Sequence, residues 1–179
     1  MKMELIQKEN RIFLYEGGSL VNSFYSDLAA LIHGLVAVVY DEDFALYKPK
    51  GDIVYRERLR VPVNDMSVTV SEEEEFATLT LSSAVSLVIY RVEGDNVRQV
   101  YYSGDTCREL VVRTATCWVV VRLHKAEVVD TSGNVIRKVP FPESLRFTDS
   151  TDVTDSEVVI GNKYVLSVSN GDAVQLRSI

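Results

Sequence analysis

Arg56, Arg58 and Arg60 occupy every second position within Ile53 to Val63. In an extended strand that period puts three guanidinium groups on one face, ~7 Å apart. Such a ladder binds phosphates, carboxylates or an acidic neighbouring subunit, because Arg forms bidentate pairs. The simpler reading is a wet sheet face paired within the chain, with the run Glu72 to Glu75 as its partner, and a subunit contact comes next. A second concentration of charge lies between Phe141 and Glu157, where Asp149, Asp152, Asp155 and Glu157 follow one another. Hard oxygen ligands on one loop suit Ca²⁺, but their spacing departs from the EF-hand pattern and no Gly supplies its sharp turn. A solvated polar arm is the simpler reading of that group. Arg56, Arg58, Arg60, Asp149, Asp152 and Asp155 are therefore the candidate partner contacts.

Motifs for catalysis are not found. The chain has no G-x-S-x-G elbow, P-loop, G-x-G-x-x-G or H-E-x-x-H. Its histidines are His33 and His124. His33 is expected at a helix C-terminus, where an imidazolium meets the dipole favourably; His124 marks the exit of a strand. Cys107 and Cys117 lack zinc or C-x-x-C spacing, and Cys117 beside Trp118 reads as a small buried hydrophobe. No cofactor, no metal and no enzymatic activity are expected.

Positioning these residues falls to a chain of 179 residues with 46% hydrophobic and 25% charged residues, ordinary globular usage long enough for a real core. A formal net charge of −7 repels polyphosphate and anionic headgroups. Nucleic acid and membrane are thus unexpected partners. The charged start and the absence of a long apolar run point to synthesis in the cytoplasm without a secretory signal.

The abundance of Val and the alternating patterns predict a mainly β fold, an antiparallel sandwich or barrel, with one amphipathic helix near the start. Val21, Phe24, Tyr25, Leu28, Leu31, Ile32 and Leu35 recur at three-and-four spacing, with Ser19 as N-cap and Gly34 as C′ residue. That predicts a helix over Leu20 to His33. Residues 1–63 form a strand-helix-strand region and residues 64–179 the sandwich-like region, the boundary lying near Asn64-Asp65. Turns are expected at Asp41-Glu42-Asp43, Lys48 to Gly51, Glu93 to Asn96, Asp130 to Asn134, Gly161-Asn162 and Asn170 to Asp172. Phe141 to Glu157 is expected as a long contact loop. Leu79 to Val92 and Leu110 to Leu123 superpose without gaps, Ala84 on Ala115 and Arg91 on Arg122, as two valine-rich strand pairs alike in composition or as duplicated hairpins.

The texture of Leu79 to Val92, Leu110 to Leu123 and the Val128 to Val139 hairpin resembles the strand-rich subunits of tailed-bacteriophage virions, of connector, head-auxiliary or tail type. The resemblance implies a structural component of a symmetric ring or shell, contacting other subunits of a homo- or hetero-oligomer. The expected function is that of a non-enzymatic assembly protein. The alternative is a carbohydrate-binding module using Tyr and Trp rings.

Overall fold

A computed structural model describes residues 1–61, 63, 65–104, 110–146, 151–169 and 173–179. Asp149 and Cys107, and the turn expected at Asn170 to Asp172, lie outside these. Among the described residues nineteen strands form five antiparallel sheets, and in each the spatial order of strands follows the chain. This is a succession of meanders, each closed by local turns before the next begins.

Three of the turns explain why. Gly17-Gly18, His33-Gly34 and Asp41-Glu42 each have positive φ at both positions, 56° and 84°, 45° and 76°, 49° and 69°. Two left-handed residues make the type I′ geometry whose twist matches paired strands. The first joins β2 (Arg11–Glu16) to β3 (Ser19–Tyr25), after β1 (Met3–Lys8). The second and third join β4 (Leu28–Ile32), β5 (Leu35–Tyr40) and β6 (Asp43–Tyr47), with β7 (Ile53–Arg58) completing the sheet.

The helix expected over residues 20–33 is therefore replaced by β3 and β4, and no helix occurs among the described residues. Apart from Leu20, β3 consists of Ser, Val, Asn, Phe and Tyr, which are poor helix formers. Between the strands the peptide N–H of buried Ser26 donates to the Asn10 carbonyl at 2.8 Å, and that of Asp27 to the Val39 carbonyl at 2.7 Å. These bonds, to the β1–β2 turn and to β5, hold the chain extended. The apparent helical spacing arose because two strands, broken at Ser26-Asp27, are out of phase. Gly34 closes a hairpin where a helix C-terminus was expected.

The third sheet contains β8 (Ser67–Glu72), β9 (Ala77–Ser82), β10 (Leu87–Glu93) and β11 (Asn96–Ser103). The fourth contains β12 (Leu110–Arg113), β13 (Cys117–Val121), β14 (Lys125–Asp130) and β15 (Val135–Pro140); the fifth contains β16 (Thr151–Val153), β17 (Glu157–Ile160), β18 (Tyr164–Ser169) and β19 (Ala173–Ser178). Segments 79–92 and 110–123 both form hairpins. The first supplies the second and third strands of its meander, the other the first and second of its own, so the echo is one of hairpin style, without a shared place in a repeat. In both, a hydroxyl residue opens the turn: Ser83 N–H donates to the Ser86 carbonyl and Thr114 N–H to the Cys117 carbonyl, each at 3.0 Å.

Chain contacts divide the protein into two compact units, Met1–Leu81 with Tyr90–Gln99, and Ser82–Ile89 with Val100–Ile179. In the first, Ile12, Leu14, Val36 and Val38 make a buried cluster covered by Leu5, Phe24 and Tyr47. Each such side chain contributes about 1.5–3 kcal/mol by leaving water. In the second, Cys117, Val119, Val128, Val158 and Leu166 form one cluster, and Leu87, Ile89, Trp118 and Val120 another.

The contact loop expected over residues 141–157 is anchored where it is described and includes a short strand. Phe141 is buried and stacks on Tyr164 with ring centroids 5.3 Å apart, the Leu145 N–H donates to the Leu123 carbonyl at 2.7 Å, and 151–153 is a strand. Two apolar anchors, Phe141 and Leu145, tie it to the second unit's core.

Candidate functional site

The first unit carries a groove of about 370 Å³ between its first two meanders. β2 begins with Arg11, and register places Arg11 opposite Tyr25 of β3. Cross-strand neighbours of this kind touch: the guanidinium carbon lies 4.7 Å from the Tyr25 ring centroid. The same side chain donates through Nη2 to Ser23 Oγ at 2.8 Å. Tyr25 stacks on Tyr40, centroids 5.5 Å apart and planes at 28°. These rings stay open to solvent, 52% and 39% exposed. Further in, Phe24 and Tyr47 meet at 4.9 Å.

Arg56 closes the groove's other side. It stands on the outer strand β7 and donates to Asp43 Oδ2 at 2.9 Å, a bond that holds its pKa above the ordinary arginine value. Arg58 pairs with Glu42 at 3.2 Å. The expected ladder thus divides: Arg56 and Arg58 share a face of β7 and take their carboxylates from β6 and its turn, while Glu72 instead accepts the His33 N–H at 2.8 Å. Arg60 lies beyond the strand, where Leu59 and Val61 turn inward, 6% and 3% exposed. It lines a second cleft with Asp27, Asp41 and Glu42.

Asp152 sits exposed on β16 and Asp155 exposed in the next turn. Among the described residues no group of three His, Cys, Asp or Glu could hold a metal ion. His33 tips the β4–β5 hairpin, its Nε2 sharing a 2.8 Å hydrogen bond with the Glu73 carbonyl. His124 Nδ1 lies 2.8 Å from Ser144 Oγ on an exposed surface. That contact braces the segment after β15, alongside the Phe141 N–H bond to the His124 carbonyl at 2.8 Å. Trp118 is 8% exposed, with Arg113 4.7 Å from its ring centroid.

Arg11 was not singled out by sequence, Tyr25 was expected on the face of a helix, and Tyr40 was expected to pack within a strand pattern. The pairing of Arg11 with Tyr25 depends on a bulge between Leu14 and Tyr15, which shifts register by one residue. Gly17-Gly18 announces the hairpin; nothing in the residue pattern announces the bulge.

No protein-family model matches the chain, and no curated protein matches it. Among solved structures it is similar to KlHsv2 with loop 6CD replaced by a Gly-Ser linker, at 11% identity and a TM-score of 0.48, over 98% of this chain and 67% of that one. It is similar to BBS1N in complex with ARL6DN at 13% identity and a TM-score of 0.43, over 98% and 64%. A third is the WD40 domain of SCAP from fission yeast, at 8% identity and 0.42, over 96% and 52%. The chain spans about two thirds or less of these structures' lengths.

Proposed function

We propose that this is a non-enzymatic protein that acts by docking another protein subunit in the Arg11–Tyr25–Tyr40 groove. Its four-stranded meanders have the connectivity of propeller blades, a scaffold on which rigid surfaces are presented. One observation carries the reading: Arg11 and Tyr25 on paired strands meet cation to ring, and Tyr25 stacks on Tyr40 of the neighbouring meander with both tyrosine rings open to solvent. Tyr and Arg are the residues enriched at the energetic centres of protein interfaces, and here their rotamers are already fixed, which lowers the ordering cost of binding. A carbohydrate reading loses its best ring, since Trp118 lies under Arg113.

A photo-crosslinking residue at position 40, in the protein's own host, tests this against the same residue at exposed Lys50. The expected result is a discrete protein adduct at 40 that is absent at 50. The purified partner should then bind Tyr40→Ala at least tenfold more weakly, a loss of about 1.4 kcal/mol. Equal labelling at both positions, or none, overturns the reading. For the virion setting, the protein should band with particles in a density gradient at fixed stoichiometry; purely free protein removes that setting and leaves the groove proposal standing.

A further inference from the structure

Among the described residues, Arg11 is a fixed cation without a carboxylate. Among the described residues it has the Ser23 hydroxyl and the Tyr25 ring as partners, and its Nε is shielded from solvent with no hydrogen-bond acceptor. The groove's other arginine, Arg56, is neutralised by Asp43 at 2.9 Å. A guanidinium offers five donors in a planar fork, and one hydroxyl uses few of them. Leaving the shielded Nε unmatched is costly, and the fork's remaining donors are available to an arriving acceptor. An apolar wall is supplied by Tyr25 and Tyr40, whose exposed rings adjoin the cation.

The size and the field narrow the occupant. About 370 Å³ is near the lower end of ligand-cleft volumes, room for a few side chains. A protein of net charge −7 repels polyanions at long range, so a strongly charged ligand is disfavoured before it reaches Arg11. We infer that the groove receives an extended segment of a partner protein bearing a single carboxylate beside an apolar or aromatic residue. The carboxylate meets Arg11 and its neighbour lies on Tyr25 and Tyr40. This rests on the protein-docking reading of the groove.

The test is a random twelve-residue peptide library displayed on phage and selected in parallel on the full wild-type chain, Arg11→Gln and Tyr40→Ala. Wild type should enrich Asp or Glu next to an aliphatic or aromatic residue at least threefold over the Arg11→Gln pool. Individual wild-type peptides should bind Arg11→Gln at least tenfold more weakly, and replacing the peptide's acid by its amide should cost the same factor on wild type but nothing further on Arg11→Gln. Tyr40→Ala should weaken acidic and amide peptides alike. Pools of equal acidity, no selection from wild type, or glycan or anionic-vesicle binding in place of peptides overturns the inference. Should Arg11→Gln fail to fold, Arg11→Lys, which keeps the charge without the fork, gives the comparison: it should retain acid preference at reduced affinity. A position-40 adduct together with acid-blind peptides sinks the carboxylate claim alone; loss of the adduct sinks the docking reading itself.

Discussion

The hydroxyl of Tyr90, a side chain with no exposed surface, donates to Glu57 Oε2 at 2.7 Å, and Tyr55 donates to the same oxygen at 3.0 Å. Phe44 stacks on Tyr90 at 4.4 Å and meets Tyr55 at 6.1 Å, so one carboxylate anchors an aromatic cluster inside the first unit. Tyr90→Phe keeps the packing and deletes one charge-assisted bond. The expected loss is about 1–2 kcal/mol in urea denaturation, with Glu57→Gln costing a similar amount. A Tyr90→Phe variant as stable as wild type would show the bond to be idle.

The same cluster predicts sensitivity to alkali. Burial first, then the hydrogen bond and charge of Glu57, push the Tyr55 hydroxyl up to about 12 from 10.0, and Tyr90 is raised further by the same causes. With folded values above the unfolded one, the stabilisation is whole below pH 10 and declines as unfolded tyrosines ionise above it, for Tyr55 until about pH 12. Thermal melts between about pH 8 and 11 should fall above about pH 10. The double variant Tyr55→Phe/Tyr90→Phe should flatten that fall; an unchanged slope counts against it.

Glu127 is the acid-side counterpart in the second unit. It is 6% exposed, accepts from Tyr101 at 2.9 Å, and has Arg122 and Lys125 each at 3.3 Å. Burial pushes its carboxyl up, but the Tyr101 bond, Arg122 and Lys125 outweigh it and hold the group below the ordinary 4.5. A depressed folded value means stability that is present above pH 4.5 and lost as pH falls through the folded value. Glu127→Gln should lower stability at pH 7 by about 1–3 kcal/mol and shrink the acid decline. A variant with the wild-type decline would assign the acid limb to other carboxylates.

Turn chemistry was the legible part of this protein. Gly161-Asn162, with φ of 58° and 53°, turns β17 into β18, and Asp130 accepts from the Ser132 and Asn134 N–H groups at 2.9 Å to turn β14 into β15. Such residues act locally, so their types suffice. Strand identity between residues 19 and 32 was hidden because Phe24 and Tyr25 serve opposite faces, one toward Ile12 and Leu14, the other toward Arg11. An apolar groove-lining residue beside an apolar core residue mimics helical spacing. Which strands pair beyond their immediate neighbours is a non-local matter, and turn spacing is common to sandwiches, barrels and repeated meanders.

Arg56 and Arg58 give a prediction of small effect. Their side chains are 58% and 79% exposed and their ion pairs reach, in water, to Asp43 of the neighbouring strand and Glu42 of its turn. Exposed pairs of this kind contribute little and weaken with salt. A double-mutant cycle of Arg58→Ala with Glu42→Ala should return a coupling below about 0.5 kcal/mol at physiological salt. A coupling of several times that size would show the turn at Asp41-Glu42 to be held by its charge pair, with backbone geometry secondary.

Gly133 separates two costs that usually arrive together. Its φ is +87°, and a Cβ there would collide with Val100 Cγ2 and fall 3.3 Å from Ile89 Cγ2. Gly133→Ala therefore meets backbone strain of about 1–2 kcal/mol and overpacking of about 1–3 kcal/mol. Val100→Ala removes the nearest methyl groups and should relieve only the second. The expected cycle has Gly133→Ala losing about 2–4 kcal/mol, Val100→Ala about 1 kcal/mol, and the double variant less than their sum by at least about 1 kcal/mol. Strict additivity in urea denaturation would mean that the strain at Gly133 alone sets the cost and that Val100 moves aside freely.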